Sequence, residues 1–386
     1  MNGKAILVCF SVAVTMVAAA QVKPNAVVEK AGAERITVVV STPPGAYTTA
    51  LKRNLNISGW FTVANEGSIK VEGAPGSSVV ATGRGRTITA TTSFVDDRGA
   101  RMAARRFVDS MVKTYSDGGV GFATTRIAFI NRKGTDNAEL YTCYPDGYDI
   151  RSLTSDGCAA VGPRWAPDGE NIYYTSFLQK FGNVYRINAT TGQRTALANF
   201  KGTATGAAVA PGGGKCAIIL SYQGNPELYV LDFSTKMVKR LTATVNAAEA
   251  SPCWSPDGTK IAYVSDQSRH PQVYIVDVAT QKSYRFTNKG SENTNPDWND
   301  KGQLVWASKR QGQTVLMVAD AAAGEGSARE VSKPGSWEHP SWATDGRHVV
   351  ASRDRALFLV DTDVDADPPV QIFYNQGNWM NPAFSR

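Results

Sequence analysis

Five short segments of the chain nearly repeat one another. They run Gly162-Pro163-Arg164-Trp165-Ala166-Pro167-Asp168-Gly169, Ala208-Val209-Ala210-Pro211-Gly212-Gly213-Gly214, Ser251-Pro252-Cys253-Trp254-Ser255-Pro256-Asp257-Gly258, Asn295-Pro296-Asp297-Trp298-Asn299-Asp300-Lys301-Gly302 and His339-Pro340-Ser341-Trp342-Ala343-Thr344-Asp345-Gly346. Their last glycines stand at 169, 214, 258, 302 and 346, in steps of 45, 44, 44 and 44 residues. A period of this size means one supersecondary unit used again and again, each copy needing its neighbours to bury its apolar face.

Each unit reads as four strands. In Ser255-Pro256-Asp257-Gly258 the proline presets φ for a tight turn, and the glycine takes the conformation that a side chain would penalise. Apolar, β-branched runs follow at Ile261–Ser265 and Gln272–Asp277. Ala279–Lys282 reads as a turn and Ser283–Thr287 as an outer strand. The same grammar recurs at 171–187, 217–232 and 304–320. A four-stranded unit of this length is the blade of a β-propeller. The tryptophan four residues before the anchor glycine reads as a blade-to-blade packing residue.

Upstream, Arg126–Asn131, Ala138–Thr142 and Ile150–Thr154 supply three strands of a further unit that lacks an anchored first strand. The chain ends on Asn381-Pro382-Ala383-Phe384-Ser385-Arg386, an anchored first strand cut short, with Pro382 placed 42 residues after Pro340. The reading is therefore a mainly β chain. Six blades span 124–386, and the C-terminal strand closes the first blade into a circle, which removes the open sheet edges.

Residues 34–120 differ in texture. Arg35–Val40, Trp60–Val63 and Thr87–Val95 read as strands, and Tyr47–Leu55 and Arg101–Tyr115 as helices; a Gly/Ser/Pro-rich stretch covers 67–86. This is a small α/β domain, and Ser116 to Gly121 is a natural linker. The cluster Arg98, Arg101, Arg105 and Arg106 reads as a solvated helix face.

At the start, Lys4, the apolar run Ala5–Val17 and Ala18-Ala19-Ala20 form a secretory signal cleaved near Ala20, leaving an extension over 21–33. No segment reaches membrane-spanning length. Cys143, Cys158, Cys216 and Cys253 remain without a Cys-x-x-Cys pair; 143 with 158 and 216 with 253 are the nearest pairings, and free buried thiols fit the residues equally well. A net charge of +7 with scattered basic residues argues against nucleic-acid binding.

The order of parts resembles the TolB family, periplasmic propeller proteins of the Tol–Pal envelope system. The segments that carry the likeness are Leu51–Phe61, Thr125–Phe129, the Trp-Ser-Pro-Asp-Gly repeats and the terminal Pro382–Ser385. The resemblance implies a periplasmic, non-enzymatic scaffold that docks a Pal-like peptidoglycan-associated lipoprotein at the channel mouth and supports outer-membrane integrity and cell division. It also implies an inner-membrane, TolA-like partner at the N-terminal region, although Gln21–Lys30 shows no clear match to the family's partner-binding strand.

In a propeller the loops that lead into the first strands converge on one mouth. The candidate partner-binding residues there are Thr205, Gly206, Glu249, Ala250, Asn293, Thr294, Asn295, Trp337, Glu338, His339, Asn378, Trp379 and Asn381, with Trp337 and Trp379 as anchors. No catalytic residue, cofactor or metal is expected. The chain carries neither Gly-x-Ser-x-Gly nor His-Glu-x-x-His, and His270, His339 and His348 form no readable constellation. Asp361 to Asp367 alternates acids but lacks the glycine and glutamate of a calcium loop, and reads as a solvated loop. The alternative reading is a secreted propeller that binds or hydrolyses a carbohydrate or peptide in its channel.

Overall fold

The computed structural model describes residues 34–386 apart from 180, 198, 199, 201, 222, 223, 365–367 and 374–376. The expected signal peptide and the 21–33 extension lie outside the described residues, as do the last three residues of the 361–367 acidic run. Among the described residues no helix is long and apolar enough to cross a membrane.

The first part is a five-stranded sheet backed by two helices: β1 (Ile36–Val40), α1 (Ala46–Ile57), β2 (Phe61–Val63), β3 (Ile69–Ala74), β4 (Ser78–Gly83), β5 (Arg86–Thr91) and α2 (Asp97–Tyr115), in strand order β2-β1-β3-β4-β5. The Gly/Ser/Pro-rich stretch over 67–86 holds β3 and β4. Its Val71, Val79 and Ala81 alternate into the core, and β3 and β4 pair antiparallel through the turn at Gly76. The helices bury Leu51, Leu55, Phe107 and Met111 against Val38 and Phe61. Asp96 caps α2 by accepting from the Gly99 amide at 2.7 Å.

Six four-stranded sheets follow. The inner strands are Ala160–Trp165 (blade 2), Ala204–Val209 (blade 3), Glu249–Trp254 (blade 4), Glu292–Trp298 (blade 5) and Glu338–Trp342 (blade 6). In blade 1 the C-terminal Trp379–Phe384 pairs antiparallel with Ile127–Arg132, so the circle closes as the sequence predicts. Each inner strand also lies against those of the two neighbouring blades, including that of blade 1 against that of blade 2. The second and third strands are apolar at almost every position (Ile218 and Tyr263 are examples), because each sheet is covered on both faces by its neighbours.

The anchor tryptophans pack between blades. Trp165 donates from Nε1 to the Ala383 carbonyl of blade 1 at 3.0 Å, and Trp254 to the Ala208 carbonyl of blade 3 at 2.9 Å. Trp298 and Trp342 are equally buried and rest on Cys253 and Val305 of the blade before. All four described cysteines are free thiols.

The arginines of α2 correct a sequence-based expectation. Arg98 and Arg106 are exposed, but Arg105 is fully buried. Its guanidinium makes a bidentate pair with Asp146 at 2.8 and 2.9 Å, reaches Asp149 at 2.8 Å and lies 3.9 Å over the Tyr144 ring. Arg101 also binds Asp149, and Asn54 of α1 donates to Asp146 at 2.8 Å. These contacts dock the helices on the turn between the third and fourth strands of blade 1. A second contact comes from blade 6, where Arg347 donates to the Gly59 carbonyl at 2.9 Å and pairs with Asp361. Asp361 is therefore no solvated loop acid. Both turns lie on the face where the inner strands end, so the face where they begin is left clear of the α/β domain.

Candidate partner-docking mouth

Every inner strand carries the same irregularity. Gly162, Gly206, Ser251, Asn295, His339 and Asn381 all have φ between 50° and 62°, and the pairing register shifts at each of them. They recur in steps of 44, 45, 44, 44 and 42 residues. Each is a β-bulge with a left-handed residue, followed by proline in five of the six strands. The bulge bends the strand where the six strands crowd around the axis. It also turns six backbone positions toward the channel as a ring, in which Asn295 donates to the Ser251 hydroxyl at 3.2 Å.

Two residues beyond the ring the channel is bridged. Arg164 of blade 2 reaches Asp297 of blade 5, its opposite number, at 3.1 Å. Arg386 adds a second contact to the same carboxylate at 3.2 Å, while the Trp342 amide donates to its other oxygen at 2.8 Å. The ring is thus the floor of a cup that opens at the loops leading into the inner strands.

His339 sits in that floor. Its Nδ1 has no hydrogen-bond partner and stands 4.0 Å from the nearest Glu338 oxygen. About a third of the side chain is accessible, but the space it faces is the narrow channel. Desolvation there, helped by the Arg164 charge, pushes the imidazole down to about 4, so it is neutral at periplasmic or cytosolic pH.

Trp379 lies in the seam of blades 6 and 1, on the face where the inner strands begin. Its ring is edge-on to Phe129 at 5.4 Å and tilted against Phe373 at 5.3 Å, and its Nε1 lacks a partner. Together with Ser336, Glu338, Arg353, Arg355 and Asn378 it lines a hollow of about 80 Å³ between blades 6 and 1. The ring is half-buried, while its Nε1 is closed off from solvent, with Gly377 packed against it.

Thr205, Gly206, Ala250, Thr294, Asn295, Glu338, His339, Asn378, Trp379 and Asn381 are all partly or well exposed around this cup. Three expected members are not. Trp337 is fully enclosed, donates to the Lys333 carbonyl at 2.8 Å and is capped by Arg353 at 4.7 Å. Asn293 is fully buried and donates to Gln272 at 2.8 Å. Glu249 is buried with Ser265 and Thr244 as partners. All three fill seams between blades instead of facing the mouth. Sequence reasoning also passed over exposed Leu178, Phe181 and Val245, which stand on loops of this same face in blades 2 and 3–4. Large apolar side chains in loops full of Ala, Gly and polar residues were the available signal.

His348, the remaining histidine near carboxylates, is a buried brace. Its Nδ1 is 2.5 Å from Asp345 and its ring packs on Phe122 at 4.6 Å. Among the described residues no group of His, Cys, Asp and Glu side chains is arranged to hold a metal ion.

A six-bladed ring closed by its C-terminal strand, with a bridged channel and a recessed polar floor, defines the chain as a β-propeller protein. A family model described as the TolB beta propeller domain matches residues 117–386, and the chain belongs to that family. It is 37% identical over 116 residues to the Tol-Pal system protein TolB of Nitrosomonas europaea, covering 30% of this chain and 27% of that one. It is 31% identical over 142 residues to the protein of the same description in Desulfosudis oleivorans, covering 37% and 32%. The chain thus spans about a third or less of the length of these curated relatives. The crystal structure of TolB from Acinetobacter baumannii superposes with a TM-score of 0.79 at 22% identity, over 92% of this chain and 98% of that one.

Proposed function

We propose that this chain is a periplasmic, non-enzymatic scaffold of the Tol–Pal system. In this reading the mouth docks a Pal-like peptidoglycan-associated lipoprotein and thereby supports outer-membrane integrity and cell division. The observation that carries the proposal is the cup itself. It is closed below by Arg164–Asp297, flanked by the hollow that Trp379 lines between blades 6 and 1, and left clear of the α/β domain. Such a recess takes a protruding loop or short segment of a partner, whose polar groups meet Asn295, His339 and Asn381 and whose apolar surface covers Trp379. The relatives' names, which place them in the Tol–Pal system, support the choice of partner. An inner-membrane, TolA-like protein is the proposed partner of the N-terminal region.

The test is a pull-down from detergent-solubilised envelopes with the wild-type chain and with a Glu338→Ala, His339→Ala, Trp379→Ala variant. The wild type is expected to recover a peptidoglycan-associated lipoprotein and the variant to lose it. Equal recovery by both would move the interface away from the mouth.

A further inference from the structure

The seams between blades share a polar joint. In blade 1, Glu139 accepts from the Thr154 hydroxyl and from the Gly157 amide, and Ala160 of the next blade lies opposite. In blade 4 the same place is held by Gln272, which accepts from Thr287 at 2.8 Å and from Asn293 of blade 5 at 2.8 Å. In blade 3 it is held by Glu227, which accepts from Thr242 at 2.6 Å, and the residue opposite is Glu249 of blade 4. The backbones match: the Glu249 amide donates to Pro226 at 2.9 Å and the Asn293 amide to Pro271 at 2.8 Å. An amide pair at one seam is therefore replaced by a carboxyl pair at its neighbour.

An amide pair supplies its own donor, whereas two carboxylates supply none. Glu227 is well provided for, with Arg240 at 2.8 Å and the Thr244 amide at 2.7 Å besides Thr242. Among the described residues the donors to Glu249 are the Ser265 hydroxyl at 2.9 Å and the Thr244 hydroxyl, which is 3.2 Å from both its oxygens and 3.3 Å from Glu227; the Glu227 carboxyl is close enough to share a proton with it. The single proton of Thr244 cannot satisfy both acids. A proton on Glu249 completes the chain, Glu249 donating to Thr244 and Thr244 to Glu227.

We propose that Glu227 and Glu249 form a one-proton site that holds the seam of blades 3 and 4 together, and that losing the proton releases residues 244–249, the segment leading into the mouth. The site does not depend on what docks there. The other ionisable groups around it are Arg240 from the outer strand of blade 3, Tyr263 and Tyr274 from blade 4, and Asp266, which accepts from the Ala248 amide at 2.8 Å. Burial, with the charge of Glu227 added, raises Glu249 from 4.5 to about 8. The folded state therefore keeps a proton that the unfolded chain releases. The resulting stability is complete below 4.5 and is lost as pH rises through about 8.

The experiment is thermal unfolding of the whole chain between about pH 6 and about pH 9, with amide-exchange protection read at Thr244 and Ala248. The wild type is expected to lose several degrees of Tm and the protection of those amides toward the alkaline end. Glu249→Gln is expected to flatten that loss, while Glu139→Gln, at a seam without the second carboxyl, keeps it. Gln272→Glu with Asn293→Asp should install an added alkaline loss at the next seam, and this arm decides the matter if Glu249→Gln does not fold. An unchanged slope in Glu249→Gln, or no added slope in the double variant, would overturn the proposal.

Discussion

At the residue scale, burial decides which charged side chains are structural. Arg105 is enclosed and serves two aspartates; Arg105→Ala leaves the buried Asp146 without an opposite charge at the domain junction, while Asp149 keeps Arg101. The expected loss is about 3–5 kcal/mol, because an orphaned buried charge costs more than the pair gains. Denaturant unfolding measures it, and a loss below about 1 kcal/mol, the level of a surface pair, would show that the junction is solvated. Asp149 adds a pH signature. Burial pushes its pKa up, but the hydrogen bonds from Arg101 and Arg105 outweigh this and leave it below the ordinary value of 3.8. Its contribution is thus present above that value and is lost as pH falls through the folded-state range. His339 behaves in the same sense by another cause: with its pKa lowered from 6.5 to about 4, it favours folding above 6.5 and progressively less below. His339→Asn should therefore soften the loss of Tm on acidification over that interval, and an unchanged acid limb would place the imidazole in bulk solvent.

At the element scale, the bulge in each inner strand is the device that shapes the channel. Ser251, Asn295, His339 and Asn381 pay for a left-handed backbone that glycine adopts freely at 162 and 206. Asn295→Gly should thus keep the fold at equal or higher Tm. Asn295→Val should lose about 1–2 kcal/mol, because a β-branched side chain clashes at that φ; calorimetry separates the two, and equal Tm values would remove the bulge from the account. Much of this level was legible in the sequence. The Pro-Asp-Gly turns, the tryptophan slot and the truncated last strand all follow from local chemistry that repeats. The sites were less legible, for a physical reason. Glu249, Asn293 and Trp337 stand at or beside the start of an inner strand, next to residues that do face the mouth, and strand parity alone does not say which of two neighbours turns into the seam. Arg101 and Arg105 misled likewise, since their acids Asp146 and Asp149 are more than forty positions away in the chain.

At the scale of the whole molecule, the ring owes its closure to a few C-terminal residues. Trp379–Phe384 covers the edge of Ile127–Arg132, and Phe384 packs on Phe122 and Val350. Removing 379–386 should expose an unpaired edge and turn one cooperative transition into a broad one with aggregation, as seen by scanning calorimetry and light scattering. A sharp single transition in the truncated chain would contradict the closure. The thiols report the same integrity. Burial pushes Cys253 up to about 12 and Cys143 well above its usual range, so among the four described cysteines half-buried Cys158 alone should react with a thiol reagent before unfolding. The docking claim rests on the whole as well, because six blades build one cup. Calorimetric titration of the wild-type chain and of Trp379→Ala with the purified periplasmic domain of a peptidoglycan-associated lipoprotein tests it most directly. The account predicts saturable binding by the wild type and an affinity at least about tenfold lower, roughly 1.4 kcal/mol, in the variant. Equal affinities in two well-folded proteins would contradict it.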